Sequence, residues 1–254
     1  MTMKAKNPIR SLKTTIQIVE ALKEAERAGL TELARRLDMN KGTVHHHLTT
    51  LQEHGFVVKT DGQYRIGLRC LEFGAHIRSR MNVYEVGKPE IDSLAEETGE
   101  IANLMVEESG RGIYIYTTEG DKAISLDTKV GSRQYLHTSA LGKSILAHLP
   151  EERLEAIIET HGLPAETENT VTDRDELEAE LERIREKDIA FDGEERAEGV
   201  RCVAAPIRDK DDNILGAVSV SGPASRIKGD VFKEEIPEQV HNTATVIGIN
   251  VSYN

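Results

Sequence analysis

Caps, turns and apolar residues between Ser11 and Ile66 follow one another at spacings that leave few folds open. After Ser11, an expected N-cap, Leu12, Ile16, Val19 and Leu22 recur at helical spacing, and the pattern runs out at Gly29. Thr31 is the expected cap of a short helix, Glu32 to Leu37, that turns Leu33, Ala34 and Leu37 inward. Asp38 and Met39 make a turn. Asn40 then caps a third helix, in which Val44, Leu48 and Leu51 give a 4,3 repeat stopped at Gly55. Phe56–Lys59 and Gln63–Ile66 are strand-like runs around Asp61-Gly62, a pair suited to a tight hairpin. Helix, helix, turn, helix and hairpin in this order predict a winged helix-turn-helix, whose third helix can enter a major groove while the hairpin meets the backbone.

The face of the third helix opposite Val44, Leu48 and Leu51 carries Lys41, Thr43, His46, His47 and Thr50. Lys41 and Thr43 lie where side chains and free amides meet phosphates, and the histidines could reach base edges. Arg65 of the hairpin joins this predicted DNA-contacting set. Charge agrees: residues 1–80 hold 14 Lys and Arg against 8 Asp and Glu, a net of +6, while residues 81–254 hold 18 against 36, a net of −18. A basic head on an acidic body points the head at a polyanion. The plainer alternative is a helical module used only for dimerisation. His45-His46-His47 does not read as a metal site, because neighbouring helical side chains diverge by about 100°.

The 254 residues suffice for two modest domains. With no Trp and 4% aromatics, a stacking platform for single strands is not expected. Two cysteines exclude a disulfide framework and fit a reducing cytoplasm. No apolar run is long enough to span a membrane, and the opening MTMKAKNPIRSLKTTIQ lacks the apolar core of a signal peptide. P-loop, HExxH, GxGxxG and GxSxG patterns are absent, so neither an enzyme nor a cofactor is expected. Two other readings compete: a hydrolase using Ser219, Ser221 or Cys202 with His137 as base, and a metal or redox sensor. Against the second, Cys70 and Cys202 are 132 residues apart, with no CxxC.

Leu68, Leu71, Ala75 and Ile77 lie in a stretch without proline until Pro89, read as a connecting helix or an ordinary linker. The expected division is 1–67, 68–84 and 85–254. In the last part helices are expected near 86–98, 139–149, 151–160, 173–187 and from near Gly229. Strands are expected at Ile101–Glu107, Ile113–Thr118, Ala123–Asp127, Ile189–Phe191, Val203–Arg208 and Ile214–Ser221. The mixture predicts an α+β fold. Thr138 and Ser139 can open a helix whose amides at Ala140, Leu141 and Gly142 would attract an anion. Ser219 and Ser221 share one sheet face, Cys202 opens the neighbouring strand, and Asp192 ends a short one. Each also has a plain structural reading: core filling for the thiol, backbone bonds for the serines, a turn cap for the aspartate.

The stretches LTELARRLDMNKGTVHHHLTTLQEHGFV and YRIGLRCLEFG resemble the DNA-binding domain of the IclR family of transcription regulators. LHTSALGKSILAHLP, IAFDGEERAEGVRCVAAPIRD and GAVSVSGP resemble that family's effector-binding domain, so the likeness spans roughly residues 9 to 251. It departs at His46 and His47, where the family usually has an Arg–Leu pair. The resemblance implies a GAF-like effector domain and a dimer, or a tetramer, formed through the first and connecting helices and matched to a palindromic operator. It also implies effector contacts from the backbone of Ala140 and Leu141 and the side chains of Asp192, Cys202, Ser219 and Ser221. A helix N-terminus for an anion beside an ionised Asp192 for a hydroxyl predicts a small organic or sugar acid as effector, and control of its catabolism. The acidic body resembles proteins of salt-loving archaea, where molar salt cuts the Debye length to about 3 Å and removes its repulsion of DNA.

Overall fold

The computed structural model describes residues 6–124, 126 and 128–253 and divides into two compact units at Arg78/Ser79. In the first, α1 (Arg10–Ala25), α2 (Leu30–Arg36) and α3 (Lys41–Glu53) precede a hairpin of β2 (Val57–Thr60) and β3 (Gln63–Ile66). A two-residue strand, β1 (Ala28–Gly29), adds to the other edge of β3 through Ala28 opposite Tyr64. Asp61 and Gly62 both take positive φ, 52° and 79°, which the tight turn between β2 and β3 requires. Ile18, Leu22, Leu33, Val44, Leu48, Val57 and Tyr64 form one core.

Three sequence expectations change here. α1 begins at Arg10 after Ile9, so Ser11 is inside the helix and is not its cap. The helix also ends at Ala25, before Gly29, because Glu26 leaves helical space at φ 58° and the next residues join the sheet. Gly29, not Thr31, precedes α2, since β1 runs straight into it. Within α1, Ile18, Ala21 and Leu22 are buried, while Leu12 and Ile16 face outward and are half or more exposed. Asn40 caps α3 as expected, its Oδ1 accepting from the Gly42 amide at 2.7 Å.

α4 (Arg69–Arg78) belongs to this unit. Phe73 stacks on Phe56 with ring centres 5.6 Å apart, and Arg69 donates to the His54 carbonyl at 2.7 Å. No residue of α4 is buried: Leu71 and Ile77 are 64% and 62% exposed.

The second unit opens with α5 (Asn82–Thr98), which starts four residues earlier than the spacing suggested. Pro89 removes one rung of that helix without ending it. β4 (Ile101–Glu108), β5 (Arg111–Glu119), β6 (Arg133–Tyr135), β7 (Ala190–Gly193), β8 (Val200–Arg208) and β9 (Ile214–Pro223) form an antiparallel sheet ordered β6-β5-β4-β9-β8-β7. The strand expected at Ala123–Asp127 is not found: Ala123, Ile124 and Leu126 lie in irregular chain, while Ser125 and Asp127 are outside the described residues. β6, three residues long, supplies that edge instead.

Helices α6 (Ala140–Ala147), α7 (Glu151–His161) and α8 (Arg174–Lys187) cover one face, and α9 (Ile236–Tyr253), entered through a π-helical turn at Val231–Glu235, covers the other with α5. Alternation along the strands feeds both cores. Ala102, Leu104, Val106, Val203, Ala205, Val218 and Val220 point to the α5/α9 face; Met105, Cys202, Ala204 and Ala217 point to the α6 face. The class is the expected α+β, with a helix-turn-helix ahead of a mixed domain. No helix among the described residues is long and apolar enough to cross a membrane.

Candidate functional site

Pleating puts Asp192, Cys202 and Ser221 in one cross-strand row: Asp192 opposes Cys202, and Cys202 opposes Ser221. The next row holds Ala190, Ala204, Ser219 and Asn103. Above the first row lies a cavity of about 140 Å³ bordered by Tyr114, Ser139, Leu141, Asp192, Arg196 and Cys202, with Ser221 among its other walls. Ala140 and Ser219 do not border it. Ser219 is wholly buried and accepts from Asn103 Nδ2 at 3.3 Å; the same amide reaches Ser221 Oγ at 3.3 Å.

Ser139 caps α6 as the sequence indicated. Its Oγ accepts the Gly142 amide at 3.2 Å, so this amide, one of the three expected to face an anion, is already satisfied. Gln134 Nε2 also donates to Ser139 Oγ, at 2.5 Å. With its NH₂ used there, the Gln134 oxygen accepts from Tyr114 Oη at 3.1 Å and from Arg196 Nε at 3.0 Å.

Asp192 closes the turn after β7. Its Oδ1 accepts the Glu195 amide at 2.7 Å and the Arg196 amide at 3.4 Å. Burial, reinforced by the nearby Glu195 carboxylate, pushes its carboxyl up to about 7. Near pH 7 the carboxyl is therefore shared between the ionised form expected from sequence and a neutral form that can donate as well as accept. Burial likewise pushes the Cys202 thiol up to about 12, with Ser221 Oγ donating to its sulfur at 3.1 Å. A thiol so held carries almost no thiolate at neutral pH and is a poor nucleophile or redox centre. His137, the base considered from sequence, contacts the Pro164 carbonyl at 3.0 Å, and burial lowers its pKa.

Sequence reasoning missed Tyr114, Gln134, Asn103 and Arg196. Tyr114 was visible only as a strand residue, Gln134 lies on a three-residue strand, and Arg196 sits in an irregular acidic loop with no motif of its own.

On the head, Lys41, Thr43, His46 and Thr50 lie on the exposed side of α3, joined there by His45, which the sequence reading left out. His47 is half-buried, its Nδ1 2.8 Å from Thr15 Oγ1, so it braces α3 against α1. This engagement turns one of the two expected base-reading histidines toward the protein. Arg65 is half-buried too, donating to the Ile66 carbonyl at 3.2 Å.

Family models agree with both units. The IclR helix-turn-helix domain matches residues 11–61, and the bacterial transcriptional regulator IclR C-terminal domain matches residues 75–249. Over 247 residues the chain is 34% identical to "Probable HTH-type transcriptional regulator ArcR" of Halobacterium salinarum, covering 96% of this chain and 94% of that protein. Among solved structures, Thermotoga maritima IclR matches with a TM-score of 0.79 at 29% identity, covering 96% of this chain and 99% of that one. An IclR homologue from Microbacterium hydrocarbonoxydans, solved with 4-hydroxybenzoate, shares the fold with a TM-score of 0.82 at 21% identity, covering 96% and 100%. The chain thus belongs to the IclR family of transcriptional regulators, joining a DNA-binding helix-turn-helix to an effector-binding domain, and it is a regulator rather than an enzyme.

Proposed function

We propose that this protein acts in the cytoplasm as a homodimer, or a pair of dimers, on a palindromic operator, and that a small organic acid bound above Asp192, Cys202 and Ser221 changes its grip on DNA. The observation that carries this reading is the cavity itself: polar side chains from four strands and the start of α6 converge on about 140 Å³ beside an otherwise apolar core. A hydroxylated acid, such as a sugar acid or a keto acid, fits walls that offer both donors and acceptors. Control of its catabolism follows as the physiological role.

The exposed apolar residues Leu12 and Ile16 of α1 and Leu71 and Ile77 of α4 support dimerisation through these helices. In the DNA complex Lys41 and Thr43 would meet phosphates while His46 and Thr50 face the groove. His47 and Arg65, both engaged inward, would act by setting the pose of α3 and the wing. The relative in Halobacterium salinarum and the net charge of −12 support a salt-rich cellular interior.

Fluorescence anisotropy on the DNA upstream of the protein's own gene tests this reading. Across a KCl series reaching molar concentration, full-length protein should bind that DNA more tightly than a scrambled duplex, and one acid of a panel should shift the curve. Equal affinity for both duplexes with every acid would reject it.

A further inference from the structure

The threonine hydroxyls on the exposed side of α3 are turned back onto the helix. Thr49 Oγ1 donates to the His45 carbonyl at 2.9 Å, and Thr50 Oγ1 to the His46 carbonyl at 3.1 Å. A hydroxyl has one proton to give, so toward DNA these threonines offer lone pairs only. α3 has no arginine and a single lysine, Lys41, in its first turn. Between that turn and the last, the donors left on the exposed side are the rings of His45 and His46, with centres 6.2 Å apart. His47 is engaged differently. Thr15 Oγ1 donates to the Ser11 carbonyl at 3.0 Å, which assigns the proton of its 2.8 Å contact with His47 to the ring nitrogen Nδ1. His47 keeps that proton whether neutral or charged, so the brace between α3 and α1 holds while histidines titrate.

The charged groups of the elements packed on α3 are mostly cations. α2 has Arg35 and the Arg36–Glu32 pair, 3.9 Å apart; β2 has Lys59, held over the Tyr64 ring; α4 has Arg69, bound at the His54 carbonyl. Toward α1, the groove of about 430 Å³ that His46 shares with Ser11, Leu12 and Thr15 has no Asp, Glu, Lys or Arg among the described residues of its walls. The acid of α3 itself, Glu53, lies seven residues beyond His46, about 10 Å along the axis. DNA, by contrast, presents one negative charge per about 1.7 Å of axis and a row of acceptors in its major groove, N7 and O6 of guanine among them. A neutral imidazole brings one N–H to these; an imidazolium brings a second N–H and a positive charge. We propose that His45 and His46 meet the operator as imidazolium cations, so that binding takes up about two protons and DNA affinity rises as pH falls through the histidine range. The inference rests on the reading of α3 as the helix in the groove, and it gives His45 a part in DNA contact.

Anisotropy of the full-length protein on the duplex upstream of its own gene, at fixed KCl from about pH 6 to about pH 8, reads this linkage. Wild type should bind roughly a hundredfold more tightly at the acid end. His45→Gln and His46→Gln should each remove about half of the slope of log affinity against pH, and the double variant nearly all of it, with melting curves unchanged. Asp192 and the histidines of the body titrate in every variant, so the difference between wild type and the double variant isolates the two rings. His46→Lys, with a permanent charge at that place, should hold its affinity at the basic end and keep only the His45 share of the slope. Equal slopes in wild type and the double variant overturn the proposal. A wild-type protein that prefers this duplex to a scrambled one at every pH, with no slope, also overturns it and leaves α3 reading DNA through neutral histidines. No binding to either duplex at any pH removes the reading of α3 as well.

Discussion

The ammonium group of Lys143, with none of its side chain exposed, lies 2.7 Å from Glu195 and 2.6 Å from Glu180. This triad ties α6 to α8 and to the loop after β7, so the opening turn of α6 and the wall holding Asp192 and Arg196 keep a fixed separation. Three charged groups in so dry a place are stable only together.

Lys143→Met should therefore cost about 3–5 kcal/mol, because it strands a buried Glu195 carboxylate without a partner. The triple variant Lys143→Met, Glu180→Gln, Glu195→Gln should regain much of that loss. Urea denaturation midpoints check both values, and a single variant as stable as wild type would show that the triad contributes little.

Asp192 makes stability depend on pH in a particular direction. Its folded-state pKa, about 7, lies above the ordinary 3.8, so its contribution is complete in acid and is lost as pH rises through about 7. Between these limits wild-type protein should lose a few kcal/mol relative to Asp192→Asn, whose side chain stays neutral and can still accept the Glu195 amide. Melting temperatures of the two proteins across that range should diverge. Parallel curves would mean that Asp192 is ionised throughout.

Gly142 faces the 3-10 turn at Leu136–Thr138 so closely that a Cβ there would lie 2.0 Å from the Leu136 carbonyl oxygen. Gly142→Ala should push α6 off that turn, destabilising the body by about 1–3 kcal/mol. It should also weaken effector binding by displacing Ser139 and Leu141. Calorimetric unfolding and a ligand titration on the same sample would show whether the two losses travel together.

Asn40→Ala removes the side-chain cap of α3 while leaving its exposed face intact. The head should lose about 1 kcal/mol, and DNA affinity should fall through fraying at Lys41 and Thr43. Lys41→Gln acts differently: it should lower the slope of log affinity against log salt by about 1 with little change in melting temperature. Anisotropy salt series distinguish the two variants.

Features written in neighbouring residues were legible in the sequence. Asn40 and Ser139 as caps, Asp61-Gly62 as a hairpin turn, and the Leu177, Leu181, Ile184 stripe of α8 depend on local chemistry, and the structure has each in place. The sharing of a sheet face by Ser219 and Ser221 follows from strand alternation alone. Features made by distant partners were not legible. β1 is a strand only because Ala28 and Gly29 meet β3, and β6 only because it meets β5. His47 turns inward because Thr15, 32 residues earlier, offers a hydroxyl. Asp192 becomes a weak acid because Glu195 and the core surround it, and Arg196 matters because Gln134 meets it from 62 residues away.

The order of strands also sets a timetable for synthesis. The helix-turn-helix unit ends at Arg78 and has a hydrophobic core of its own, so that unit can fold as soon as it clears the ribosome. β4 must wait: its partner on one side is β5, next in the chain, but on the other it is β9, with Ile101 opposite Ser221. Until more than a hundred further residues are made, the β4–β5 hairpin exposes an open edge and an apolar face. At the growth rate of about 5–20 residues per second, this interval lasts several seconds or more. The newborn chain can therefore hold a finished DNA-reading head while its sensing body is still half a sheet.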